Sequence, residues 1–446
     1  MQLQVFKKYY FILFVTSIFL YGKIPRVLAA TYSATPESIN SILSNSHPGD
    51  TIQLRAGKYN SILLAKAGLT LTNYPNEIAI FDGSSASTPQ AVSPQILVVA
   101  SDINIRGNIK LLNSPEMGVF ITDTSQNIVV DGIEIGYTKG HGIASRGKNV
   151  TIKNIFVHDG VLENQAKNMN GGWASCIKGE RDADGLYISN NTVERCYGEA
   201  IAVTMTNNSV IQNNTIRSSW AVGIYLDNVS NIVVDKNFIT CSDSQYWRNS
   251  TGSPSIAGHT ETYSGWGNRF NNISIKNNIV VGCDGFAYWG DQTTPTNTLV
   301  ANNTFVNTNN VGTYIEGNGV GITYKNNITK NAPNLPSGVI YSNNHLITND
   351  TFLTTPSTSD PETTKLKNNI IGTNVDISDD FGGNLRTNPP TVGAWQYTPA
   401  PTPINKPGDL NNDSLVNIFD YNLLLSSFNN LYNIFDFNNI VANYSK

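Results

Sequence analysis

Short apolar runs that end in asparagine recur between residues 127 and 344. The ends read Ile152-Lys153-Asn154, Ile188-Ser189-Asn190-Asn191, Ile211-Gln212-Asn213-Asn214 and Val234-Asp235-Lys236-Asn237. They continue as Ile275-Lys276-Asn277-Asn278, Val300-Ala301-Asn302-Asn303, Tyr324-Lys325-Asn326-Asn327 and Tyr341-Ser342-Asn343-Asn344. Counted from Gly132, the steps are 22, 37, 23, 23, 41, 25, 24 and 17 residues. A basal period of 22–25 with two long insertions predicts stacked coils, none able to bury its apolar face alone. The runs are short, β-branched and bounded by Asn and Gly, so they predict strands. Leucine-rich repeats share the period but need Leu at fixed spacing and a helical return, and the sequence has neither. One Asn column can hydrogen-bond the backbone of the coils above and below it, which fixes a turn. The pattern predicts an all-β right-handed parallel β-helix, a solenoid.

A second strand in each coil aligns on the inward residues Ile143, Ile177, Ile201, Ile224, Ile256, Phe286 and Thr313. Both insertions fall just before it, around 161–174 and 242–255. Long loops on a rigid scaffold often carry function. Side chains alternate across a strand, so positions one and three after the inward residue point out. The first outward column is Ala144, Lys178, Ala202, Tyr225, Ala257, Ala287, Tyr314, and the second is Arg146, Glu180, Thr204, Asp227, His259, Trp289, Glu316. Asp182, Glu261 and Asp291 continue an acidic strip. Small residues beside charged and aromatic ones describe a groove, set against the plainer reading of a solvated polar face.

Composition adds limits. The 446 residues are 40% hydrophobic and 14% charged, with a formal net charge of −4, which gives no electrostatic case for nucleic acid or an anionic membrane. Lys7-Lys8, the apolar run Tyr9 to Tyr21 and Val27-Leu28-Ala29 read as a signal peptide over residues 1–30, with an uncleaved anchor as the alternative. Export, to a secreted or surface-attached state, follows either way, with no other membrane span. Four cysteines, Cys176, Cys196, Cys241 and Cys283, are too few for a disulfide framework and read as small packing residues.

Thr35-Pro36-Glu37-Ser38 reads as a helix start with Thr35 as N-cap, a short helix that would cover the open end of the solenoid. Irregular coils are expected to run to Tyr397, so the β-helix spans 31–397 and a Pro-rich linker spans 398–407. From 408 to 446 a small α-helical, EF-hand-like module follows. Asp409, Asn411, Asp413, Asn417 and Asp420 stand at loop positions 1, 3, 5, 9 and 12, with the Leu415 carbonyl between them, a set that predicts calcium. Tyr421 to Phe428 would be the exiting helix. Asn417-Ile-Phe-Asp-Tyr-Asn422 returns as Asn433-Ile-Phe-Asp-Phe-Asn438. This pattern resembles a dockerin module, which implies a cohesin-like or cell-surface partner. Ser414 replaces the usual Gly and the second loop lacks its first three ligands, so one calcium site is expected rather than two.

The N-terminal order of helix, Pro48-Gly49-Asp50-Thr51-Ile52 and Gly57-Lys58-Tyr59, with Val392-Gly393-Ala394-Trp395 near the end, resembles exported polysaccharide-active β-helix proteins of the pectate-lyase-like superfamily. Gly140-His141-Gly142 looks like the GHG motif of polygalacturonases, but the paired Asp motifs expected before it are absent, so no role is carried over. The resemblance implies an exported enzyme on acidic glycans, a lyase or an O-glycosyl hydrolase. The alternative is a non-catalytic surface β-helix that binds glycans as an adhesin does. Adjacent coils stack about 4.8 Å apart, so Asp227 and His259 are expected to hydrogen-bond, and Glu180 and Asp227 to lie about 9.6 Å apart. The candidate catalytic residues are Lys178, Glu180, Asp227 and His259. Lys178 has no evident partner in its own column, and Lys178 or His259 would be the base for elimination, with calcium held by Glu180, Asp182 or Asp227. Tyr225, Trp289, Tyr314 and Glu316 are the candidate substrate-binding residues.

Overall fold

A computed structural model describes residues 28–84, 94–168, 174–243, 246, 254–290, 293–306, 313–399, 407–411, 413, 415–428, 430–431 and 433–444. Most of the signal segment, the middle of the linker, Asp291, Asn412 and Ser414 lie outside the described residues. The chain winds as a right-handed parallel β-helix with three sheets, of 13, 12 and 10 strands among the described residues. Each coil contributes one strand to the 13-stranded sheet, turns at the asparagines, crosses the 12-stranded sheet, and returns through the 10-stranded one.

The core is a set of aligned columns. Ile152, Ile188, Ile211, Val234, Ile275, Val300 and Tyr324 pair in register in the first sheet, and all are buried. Ile143, Ile177, Ile201, Ile224, Ile256 and Phe286 do the same in the 10-stranded sheet. Burying each such side chain contributes about 1.5–3 kcal/mol, and the β-branched shape suits the pleat.

The asparagine ladder is present, with a shift at its start. Asn191, Asn214, Asn237, Asn278, Asn303, Asn327 and Asn344 form a continuous stack in which each Oδ1 accepts the backbone N–H and, within the stack, the side-chain amide of the Asn one coil earlier. Each Nδ2 also donates back to a strand carbonyl, from Ile152 through Tyr324. The residue before each rung has positive φ, Asn190, Asn213, Lys236, Asn277, Asn302, Asn326 and Asn343, and Asn tolerates that region well. Asn154 and Gly132 belong to this left-handed column and not to the ladder. Pairing of Lys153 with Ser189 sets Asn154 against Asn190, and Ile155 N–H caps the stack by donating to Asn191 Oδ1. The opposite turn carries a second Asn column, in which Asn231, Asn272 and Asn297 each donate to the Asn one coil earlier.

The cap helix differs from expectation in its start. Helix α1 is Ile39–Asn45; residues 35–38 are a turn whose Thr35 carbonyl accepts from Ser38 and Ile39 N–H, and Ser38 rather than Thr35 is the N-cap. Ile39 and Leu43 are buried over the first coil, as the periodicity requires. The coils end with the strand His345–Leu346. Residues 351–397, expected to be further irregular coils, instead lie along the outside of the 12-stranded sheet. There Phe352, Leu366, Val392 and Trp395 pack on Phe238, Ile279, Val306 and Ile328. Those strand residues are outward-facing and apolar, so they demand a cover.

The cysteines are not free packing residues: Cys176–Cys196 and Cys241–Cys283 are disulfides. Each joins one edge of an insertion to the next coil. Cys176 follows the first long loop and Cys241 begins the second. Spacing alone hid the pairs, because the partners lie one turn apart on the solenoid.

The C-terminal module consists of helices α2, Ile418–Ser426, and α3, Ile434–Asn443. Both open with the same capping box, Asn417 with Asp420 and Asn433 with Asp436, which explains the repeated Asn-Ile-Phe-Asp. Val416, Leu424 and Ile440 form its small core.

Candidate functional site

The outward columns read from sequence are in register. Ala144, Lys178, Ala202, Tyr225, Ala257, Ala287 and Tyr314 pair in succession. Glu180, Thr204, Asp227, His259 and Trp289 pair likewise. They occupy the outer face of the 10-stranded sheet, beside both insertions. The small side chains leave a floor on which Tyr225 and Trp289 lie, against Ala202, Val222 and Ala257.

The centre is arranged differently from the expected Asp227–His259 pair. After the strand Pro254–His259 the chain turns back over the face, and Glu261 N–H donates to Asp227 Oδ1 at 2.9 Å. Asp227 is thereby fully buried; its Oδ2 finds no hydrogen-bond partner of normal geometry, although the Tyr263 hydroxyl is near enough to favour the charged form. Burial raises the Asp227 pKa, and the Glu261 amide opposes it. The carboxylate beside His259 is Glu261, from its own coil. His259 Nδ1 lies 3.2 Å from Glu261 Oε1 and 3.0 Å from the Tyr225 hydroxyl. That hydroxyl donates to the same Glu261 oxygen at 2.7 Å, so Nδ1 must carry the proton it shares with them. This fixes the tautomer and leaves Nε2 as the basic nitrogen of the neutral ring. The His259 hydrogen bond leads in holding Glu261 ionised, down to a pKa of about 2, against burial and with help from Tyr225 and Tyr263. Burial first, then Asp227 and Glu261, pushes the Tyr225 phenol well above its usual value.

Lys178 does have a partner. Its Nζ is 3.9 Å from Glu199 Oε2, and Ser175 Oγ donates to the same oxygen at 2.8 Å. Both members of the ion pair are buried. Glu199, Ser175 and His141 escaped the outward columns because each lies two residues before an inward position, where strict alternation assigns it to the core. At that place Glu199 reaches Lys178, and Ser175 links Glu199 to His141. His141 Nδ1 accepts from Ser175 N–H at 3.0 Å; burial, then the Lys178 charge, lowers its pKa to about 4, so the ring is neutral.

Glu180 is gripped by Arg146, whose Nε and Nη2 both reach Oε1 at 2.7 Å. Burial would raise Glu180, but Arg146 wins and holds it low. Of the four residues expected to bind sugar, Tyr225 is buried and hydrogen-bonded, whereas Trp289 and Tyr314 are half-exposed, 6.0 Å apart edge to face. His259 lies 5.7 Å from Trp289. Glu316 is exposed at the end of the row.

In the C-terminal loop, ligand atoms of Asp409, Asp413 and Asp420 come within 4.8 Å of one another, the one such group of three among the described residues. Asp420 is buried and accepts from Leu410, Asn411 and Asn417 N–H. Asn411 hydrogen-bonds Asp413. Leu415 is exposed and its N–H donates to Asp413, while Asn417 turns its side-chain oxygen to Phe419 N–H as a helix cap.

Residues 95–305 match the family model described as the right handed beta helix region. No curated protein sequence matches the chain. Among solved structures, the chain is similar to the surface adhesin PfbA of Streptococcus pneumoniae, with 12% identity over 66% of this chain and 80% of that one, TM-score 0.53. It is similar to the tailspike of E. coli bacteriophage HK620, with 14% identity over 69% of this chain and 60% of that one, TM-score 0.51. Pectate lyase Pel9A matches with 14% identity over 83% of this chain and 96% of that one, TM-score 0.48. At these identities the likeness is one of fold, and the right-handed parallel β-helix is the fold it shows.

Proposed function

We propose that the chain is an exported polysaccharide-active enzyme whose glycan lies along the outer face of the 10-stranded sheet. One observation carries this: His259, Glu261 and Tyr225 form a hydrogen-bonded trio on a loop-flanked face that also presents Trp289 and Tyr314. His259 Nε2 is the proton-transfer atom, Glu261 its orienting carboxylate, and Tyr225 a positioning residue beneath them. Nε2 would take the C5 proton in an elimination, or the proton of an attacking water in a hydrolysis. Trp289 and Tyr314 would hold sugar rings through their apolar faces. Lys178 and Asp227, both buried, position the face from below. Two disulfides suit an oxidising compartment, and no helix among the described residues is long and apolar enough to cross a membrane.

The C-terminal module is a calcium-binding attachment module. Its donors are all oxygen, which suits a hard cation, and Asp409, Asn411, Asp413, the Leu415 carbonyl and Asp420 would hold it. Asn417 contributes as a helix cap. The calcium would order the loop ahead of α2. The exposed pairs Ile418-Phe419 and Ile434-Phe435 offer apolar contact to a cohesin-like or cell-surface protein.

The test screens polysaccharides while following unsaturated-uronide absorbance and reducing ends separately. His259→Ala should lower turnover by about a hundredfold or more with circular dichroism unchanged, and Tyr225→Phe by less. Full activity in His259→Ala would place the chemistry elsewhere. A parent that degrades nothing but binds glycans through Trp289 would make this a surface-binding protein.

A further inference from the structure

We propose that this face takes an uncharged glycan chain and disfavours uronate polymers. The proposal rests on the reading that the face is a glycan site, and of the two reactions open to His259 it leaves hydrolysis, since elimination at C5 needs a uronate carboxylate. It also reverses the acidic-substrate expectation drawn from the sequence.

The charges are few and traceable. Glu180, Glu199, Asp227 and Glu261 supply four carboxyl groups at its centre, against two cations, Arg146 and Lys178. Both cations are already engaged: Arg146 by Glu180 at 2.7 Å and Lys178 by Glu199 at 3.9 Å, with the Lys178 side chain only 11% exposed. Neither histidine presents an unengaged Nδ1. His141 spends Nδ1 on Ser175 N–H and is neutral, and the Nδ1 proton of His259 is shared with Glu261 and Tyr225. Arg181 and Asp182, exposed at the adjoining turn, offset each other.

Burial acts against the charged forms of Asp227 and Glu199, so a further carboxylate would enter a space already poor in solvation for negative charge. A uronate chain would bring one carboxylate per residue to a centre where Arg146 and Lys178 already face Glu180 and Glu199, and like-charge juxtaposition across an interface is costly. Hydroxyl groups fit better, since Glu261 and Glu180 can accept from them and the aromatic pair can hold the ring faces.

The experiment uses the full chain at low salt and about pH 8, where an unperturbed imidazole is neutral. Pectate, alginate and a glucuronoxylan are each compared with their own carboxyl-reduced form by affinity electrophoresis and calorimetry. At least one reduced polymer should bind about tenfold or more tighter than its parent, and residual binding of the parent should strengthen as salt screens the repulsion. Glu180→Gln, which frees Arg146, should raise affinity for the uronate form about threefold or more relative to its reduced form. Tighter binding of the uronate form that weakens with salt would overturn the proposal and leave the His259 reading standing. Absence of binding by every pair, with no polysaccharide turned over, would overturn both.

Discussion

Replacing Asn237 by Ala tests whether the asparagine stack is structural. Asn237 is fully buried in the middle of the ladder. Its Oδ1 accepts from Asn214 N–H at 3.0 Å and Asn214 Nδ2 at 2.9 Å; its Nδ2 donates to the Ile211 carbonyl and to Asn278 Oδ1, both at 2.9 Å. Truncation leaves one buried backbone group without a partner, Asn214 N–H, while the Ile211 carbonyl keeps the sheet bond that goes with the Gln212–Asp235 pairing. Asn278 Oδ1 keeps Asn237 N–H, and Asn214 Nδ2 keeps the Ile188 carbonyl. That orphan costs about 1–3 kcal/mol, with the lower half expected if a water enters the space. Asn344, the last rung, is half-buried and makes the same bonds to the coil before it, with the Ser342 carbonyl in place of a next rung, so Asn344→Ala should cost about 1 kcal/mol or less because solvent reaches the groups it abandons. Urea denaturation of both variants, with amide exchange at Asn214 as a local reading, measures the difference. Equal midpoints for the two variants, or unchanged exchange at Asn214 in Asn237→Ala, would refute the argument that burial gives the stack its value.

Two further outcomes are expected. Calorimetric titration of the full chain with calcium should find one site, abolished by Asp409→Ala and retained in Asp436→Ala, because Asp436 caps α3 without a converging set of acids; two sites, or none, would reject the count. Glu261 is depressed from 4.5 to about 2, so its stabilising effect is fully present above pH 4.5 and is lost as pH falls through about 2. The stability gap between the parent and Glu261→Gln should therefore close over that window, while buried Asp227, whose shift is upward, works in the opposite sense and remains in both proteins. A gap independent of pH would mean that His259 does not hold the carboxylate.

The fold was legible because period and composition speak for the same structure. A coil of 22–25 residues with Asn doublets states both the stacking and the turn, one Asn taking the left-handed position and the next bonding along the axis. Register was legible too, even across the insertion before Ile256, since the inward column from Ile143 to Phe286 holds only large apolar residues. What could not be read was the lateral packing after His345. Residues 351–397 carry no periodicity, and the need to cover Phe238 and Ile279 arises only once the 12-stranded sheet exists. The disulfides were hidden for a related reason: Cys241 and Cys283 are 42 residues apart in sequence and one coil apart in space.

At the candidate site, the columns were right and the partnerships were not. Alternation predicts which way a strand residue points, and it placed Tyr225, Asp227 and His259 together correctly. It cannot predict where the chain goes after the strand ends. Thr260 to Tyr263 fold back over the face, bury Asp227 beneath a backbone N–H, and bring Glu261 to the imidazole that Asp227 was expected to hold. The same limit applies at the other end of the strand, where Glu199 reaches Lys178 from a position counted as interior. A β-helix therefore declares its scaffold in its repeat, while its chemistry is assembled at the places where the repeat is broken. For this chain those places are the residues just before Ile201 and just after His259, and substitutions there should separate function from fold more cleanly than substitutions within the columns.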